Sequence, residues 1–186
     1  MVSSQELKER VKEFYKFEKQ ELASLGIAVL ITAFIFSFRD WGDDFFDFIV
    51  GLTNLILTLL ITAFTFAFRI SCQKIYALSQ GYKVEFKVWN LGLLIALIVA
   101  FFSNGILPLV LGGSVVAALM VKQRLGEFRY GFSYLDNAII SFWGILGNLI
   151  LAIFFAVGSF FFPHNYFFSK GLILNLVMAF CSLIPA

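Results

Sequence analysis

Histidine, cysteine and proline are scarce in this chain of 186 residues, which holds one histidine, two cysteines and three prolines. The single histidine excludes a metal centre built on two or more imidazoles. The cysteines, Cys72 and Cys181, form no motif, and no disulfide is expected between them. Both read as buried free thiols. Charged residues are only 14% of the chain and the net charge is +2, too little to point to nucleic acid. No short apolar core with a small-residue cleavage site opens the chain, so residues 1–21 do not read as a signal peptide. No internal repeat is present.

Apolar residues are what the chain has in excess. They make up 60% of it, 25 of them phenylalanine, and the mean hydropathy is +0.89. A soluble domain of this size does not carry such a surplus, so the class is an integral membrane protein. No polar segment is long enough for a second core, and one domain is expected. The phenylalanines, scattered through the apolar runs, read as lipid-facing and packing bulk.

Residues 1–21 read as a charged amphipathic helix, within which Ser3 and Glu6 have capping-box spacing. Leu7, Val11, Phe14, Tyr15 and Leu22 recur at helical period. Either the helix lies along a membrane surface or it is a solvated extension of the first span. The transmembrane domain follows over 22–186. Spans are expected at about 22–38, 48–68, 138–162 and 171–186. The second begins a polar stripe, Asn54, Thr58, Thr62, Thr65, Arg69 and Gln73, at steps of three and four residues. Its helix continues to Gly81, a natural left-handed stop. Such a stripe faces other helices or a water-filled cavity. The plainer alternative is ordinary interhelical hydrogen bonding with Arg69 and Lys74 snorkelling.

Lysine and arginine concentrate in the amino-terminal tail, in 69–90 and in 122–136, while 39–47 carries Arg39 against four aspartates. The positive-inside rule makes the first three cytoplasmic. Segment 91–121 is then apolar with both flanks on one side, and Asn104-Gly105, Pro108 and Gly112-Gly113 break it. It reads as a short helix over Leu91–Phe102 followed by a re-entrant or extended return. Ile106–Val110 and Ser114–Val121 are candidate short strands. GEFRYG and the following SYLDN read as a surface loop.

These landmarks resemble the site-2 protease family of intramembrane zinc metalloproteases in its compact prokaryotic, archaeal-like form. The stretches that carry the resemblance are RISCQK at 69–74, ALSQGYKVEFKVW at 77–89, RLGEFRYG at 124–131, FWGILGNLILA at 142–152 and CSLIPA at 181–186. They stand where that family carries HExxHK, a glycine turn with a following strand, a similar arginine-glycine loop, a glycine-asparagine span and a final zinc-ligating aspartate. The resemblance implies a mostly helical polytopic core with a partly sheet-like insertion. It also implies that active relatives hold zinc.

The chemistry is missing. Zinc hydrolysis needs three protein ligands, an open position for water and a base. Arg69 stands for the first histidine, Ile70 for the glutamate and Gln73 for the second histidine. Ser182 and Ile145 replace further motif residues, and no aspartate follows. No catalytic residue, metal ligand or cofactor is therefore expected. Arg69, Gln73, Gly144 and Asn148 are the candidate binding residues of the former active-site region. Arg69 is expected to replace the metal by donating to Thr65, Gln73, Asn148 or backbone carbonyls. His164 reads as a loop histidine.

The resemblance implies an inactive pseudoprotease in the cell membrane, amino terminus cytoplasmic. Its partners would be lipid and a transmembrane protein segment, held partly by strand addition to an edge within 106–121. The alternatives are an active protease with unrecognised or missing ligands, and a small structural or transporter-like subunit.

Overall fold

The computed structural model describes residues 4–42, 45–119 and 134–183. The chain is mostly helical, 74%, with one small two-stranded sheet. The helices are α1 (Ser4–Phe14), α2 (Lys19–Ser37), α3 (Phe48–Gln80), α4 (Asn90–Phe102), α5 (Tyr134–Phe161) and α6 (Tyr166–Cys181). Strands β1 (Tyr82–Val88) and β2 (Gly113–Leu119) flank α4 in sequence. Among the described residues three helices, α2, α3 and α5, are long and apolar enough to cross a membrane. The expected fourth span falls in α6, which has 16 residues and starts earlier, at Tyr166. It is about 24 Å long, short of a hydrocarbon core of about 30 Å.

Helix α3 is a single rod of 33 residues, about 50 Å long. Asp47 caps its start, its carboxylate accepting from the N–H of Ile49 at 2.9 Å and of Val50 at 3.2 Å. Gly81 ends it at φ 86°, a conformation that costs a side chain with a Cβ about 1 kcal/mol or more. The polar continuation of the second span to Gly81 is thus helical throughout.

The amino-terminal helix is shorter than expected. It stops at Phe14, and Lys19–Glu21 already belong to α2. The break has a tertiary cause, because residues 15–17 turn towards α3. The Tyr15 hydroxyl bonds Ser71 Oγ at 2.7 Å, and the Lys16 carbonyl accepts from Lys74 Nζ at 2.9 Å. The Lys74 ammonium also sits 3.9 Å from the Phe17 ring centroid. Ser3 lies outside the described residues, and so does the RLGEFRYG stretch. Tyr134–Asn137, expected in a loop, instead form the first turn of α5. There the Tyr82 hydroxyl donates to Asp136 Oδ2 at 2.6 Å. That bond, followed by burial, raises the tyrosine pKa above its ordinary value.

The strands pair antiparallel, from Tyr82 opposite Leu119 to Val88 opposite Gly113. The intervening segment therefore leaves the sheet and returns to it. It goes out as α4, whose Phe101 ring packs 5.0 Å from that of Phe38 at the end of α2. It turns at Asn104 and Gly105, both at positive φ. It then returns extended, until the Gly112 carbonyl accepts from Trp89 N–H at 3.3 Å. Residues 106–110, expected as a possible strand, pair with no strand. Val110 N–H points at Cys181 Sγ, 3.5 Å away, so the end of this stretch meets the end of α6.

One sheet face is apolar. Tyr82, Val84, Phe86 and Val115 are buried in the same cluster as Ala28, Phe36, Phe66 and Ala77 of α2 and α3. The other face shows Lys83, Glu85, Lys87 and Ser114. The sheet is locked to the helices by Glu21, 3% exposed. Its Oε2 lies 2.7 Å from Lys74 Nζ, and its Oε1 accepts the Phe86 N–H at 3.0 Å. Lys74 does not snorkel; it is 3% exposed and bound at both Glu21 and the Lys16 carbonyl.

Removing one partner of a buried ion pair strands the other charge. Glu21→Ala is expected to lower stability by about 3–5 kcal/mol. Denaturant unfolding of the detergent-solubilised protein reads this loss. Glu18→Ala, which removes an exposed partner of Lys83, should leave the unfolding midpoint nearly unchanged.

Candidate functional site

The α3 stripe faces the bundle. Thr58, Thr62 and Thr65 have no exposed surface and Gln73 is 2% exposed. Its first half is satisfied by ordinary hydrogen bonds. Asn54 Nδ2 donates to the Asp40 carbonyl at 2.9 Å, and Thr58 Oγ1 pairs with the Tyr166 hydroxyl at 2.9 Å. Thr62 Oγ1 donates back to the Thr58 carbonyl at 2.7 Å. Asn175 Nδ2, from α6, reaches Thr65 Oγ1 at 3.2 Å and the Gly171 carbonyl at 2.8 Å.

The second half is different. Here α5 crosses α3 on two glycines. A Cβ built on Gly144 would lie 2.5 Å from Gln73 Nε2 and 3.2 Å from Arg69 Nε. One on Gly147 would lie 3.3 Å from Cys72 Sγ and 3.6 Å from the Arg69 Cα. Glycine lets the two helices approach at this point. Asn148 follows Gly144 by four residues, on the same helix face, and has no exposed surface. The structure thus brings Arg69, Gln73, Gly144 and Asn148 to one helix crossing.

The polar atoms of this crossing are poorly matched. Asn148 Nδ2 and Oδ1, Gln73 Oε1 and the nearby Asn175 Oδ1 are buried without a hydrogen-bond partner. Each such atom costs about 1–3 kcal/mol. Arg69 is partly exposed. The bonds expected from it to Thr65, Gln73 or Asn148 are not among the hydrogen bonds of the described residues. Its guanidinium lies across Gly144 beside Gln73. Ile70 is 1% exposed and serves the apolar core. Cys181 is buried, whereas Cys72, expected buried, is only partly so; both are free thiols.

This set of groups does not fit zinc. A guanidinium is a permanent cation and the amides are weak oxygen donors. Among the described residues no group of three histidine, cysteine, aspartate or glutamate side chains gathers anywhere. His164 sits exposed at φ 70° in the connection between α5 and α6.

Two polar clusters escape sequence reasoning. One is the Glu21–Lys74 pair. The other surrounds Asp40, whose Oδ2 accepts from the Tyr166 hydroxyl at 2.6 Å and pairs with Lys170 Nζ at 2.6 Å. Asn175, lone in an apolar run, was legible only as a polar residue at helical spacing from Gly171.

No protein family, curated protein or solved structure matches the chain.

The glycine crossing makes a sharp expectation. Gly144→Ala forces a methyl group against Gln73 and is expected to cost about 1–3 kcal/mol. Gly26→Ala, where a Cβ meets nothing within 4 Å, should be neutral or stabilising by up to about 1 kcal/mol. Thermal unfolding of the two variants side by side in one detergent checks the contrast.

Proposed function

We propose that this chain is a catalytically inactive, site-2 protease-like membrane protein that binds a transmembrane segment of a partner. The observation that carries the reading is the gathering of Arg69, Gln73, Gly144 and Asn148, far apart in sequence, at one buried polar crossing of α3 and α5. The resemblance puts the active site of zinc-bearing relatives at these positions. The groups present bind and orient polar partners, but they cannot hold a metal or take a proton from water. In this reading the protein sits in the cell membrane. Its amino terminus, β1 and the 122–136 region are cytoplasmic by their lysine and arginine content.

The sheet supports a way of holding an extended segment. Phe86 N–H points away from β2, towards Glu21. Its antiparallel partner Val115, and Ala117 two residues on, therefore turn their backbone groups away from β1. Glu21 covers the β1 edge. Among the described residues nothing pairs with the β2 edge. An unpaired edge is a template for a strand from another chain.

The alternative of an active zinc protease is tested directly. Metal analysis of the purified protein in detergent is expected to show no stoichiometric zinc. A photo-crosslinker at Val116, whose side chain is 45% exposed beside that edge, is expected to give discrete membrane-protein adducts in native membranes. One zinc per chain would overturn the reading, as would a uniform smear of lipid adducts with no protein.

A further inference from the structure

Among the described residues, three cations sit against the bundle beyond its charged amino terminus, and they are not treated alike. Lys74 has the Glu21 carboxylate at 2.7 Å, and Lys170 has the Asp40 carboxylate at 2.6 Å. Arg69 has no carboxylate partner among the described residues. It is the one cation of the three placed at a helix crossing with its charge unanswered, and it cannot shed a proton to become neutral. A cation in an apolar bundle is stabilised by a counter-charge.

The neighbours of Arg69 say what else the counter-charge brings. Gln73 Oε1, Asn148 Oδ1 and Asn175 Oδ1 are buried acceptors without donors, and Asn148 Nδ2 is a buried donor without an acceptor. Gln73 is 2% exposed and the two asparagines have no exposed surface. Arg69 itself is partly exposed. The set asks for one anion together with N–H donors. A free fatty acid carries the carboxylate but no donor. A locally unwound peptide carries both, because each of its backbone amides must find a partner once it leaves the helix.

We propose that Arg69 is the docking point for an aspartate or glutamate side chain carried by a partner transmembrane segment. The neighbouring amides of Gln73, Asn148 and Asn175 receive the backbone of the segment beside that acid. Arg69 lies about 32 Å along α3 from Phe48, near the Gly81-side boundary of a hydrocarbon core. The acid of the partner therefore sits within about two turns of the same boundary. The inference rests on the function proposed above and names the chemistry its partner must carry.

The test is equilibrium binding in nanodiscs, read by energy transfer, of single-span peptides identical except for glutamate, glutamine or leucine at that depth. The glutamate peptide is expected to bind about tenfold or more tightly than its glutamine twin. The preference should survive Arg69→Lys and vanish in Arg69→Gln. Arg69→Glu should prefer a lysine peptide over a glutamate one. The wild-type comparison among peptides needs no variant, so a misfolded variant does not spoil it. Equal binding of the three peptides would overturn the carboxylate inference and leave the pseudoprotease reading standing. Binding of none of them would count against both. Displacement by oleate but not by its methyl ester, with no preference among peptides, would assign Arg69 to a lipid carboxylate and overturn the proposal.

Discussion

The structure depends on one buried carboxylate. Glu21 uses its two oxygens on two different elements, Lys74 of α3 and the backbone N–H of Phe86 in β1. A lysine in the bundle and an unpaired strand edge are each costly when left alone. Together they satisfy one glutamate, which in turn holds the start of α2 against both. The break between α1 and α2 follows from the same place, since Lys16 and Phe17 complete the shell of the Lys74 ammonium. The apolar face of the sheet is then pressed onto α2 and α3, and its charged face is left outward.

That arrangement fixes what remains available. With the β1 edge closed by Glu21, β2 is the edge that faces away from the helices' polar joint. The α4 excursion starts and ends beside it, at Trp89 and Gly112. Breakers at Asn104-Gly105 make the excursion a return trip rather than a crossing. Of the irregular backbone that follows, Val110 is buried against the end of α6, while Ile106 and Leu107 stay exposed.

The α3 stripe shows how one periodic pattern holds two kinds of site. Towards Phe48, Thr58 and Thr65 pair with α6, Asn54 with the Asp40 carbonyl and Thr62 with its own helix, so that half is satisfied locally. Towards Gly81 the same spacing delivers Arg69 and Gln73 to a crossing where α5 offers glycine and an unpartnered asparagine. Satisfied polar groups rigidify a fold, whereas unsatisfied ones are retained at a cost to stability. The contrast between the halves, more than the presence of polar residues, is what singles out the second half for the proposed partner.

Much of this was written locally. Hydropathy alone marked out the apolar helices, because bilayer thickness demands a minimum run. Gly81 marked the end of α3, and the Asn104-Gly105 breaker marked the turn after α4. Steps of three and four put the stripe on one face, and it is inward. Local reading failed wherever a residue's role was decided by something distant. Glu21 counted as one more charge on the amino-terminal helix, and snorkelling was one reading of Lys74, until 53 residues of separation closed to an ion pair. Asp40 in an acidic connection became the shared partner of Tyr166 and Lys170, 126 residues away in the first case. Periodicity determines which residues share a helix face, and it is complete within one turn of chain. Which face meets which is decided by packing among helices, and only that packing determines whether a polar group is paired or left bare.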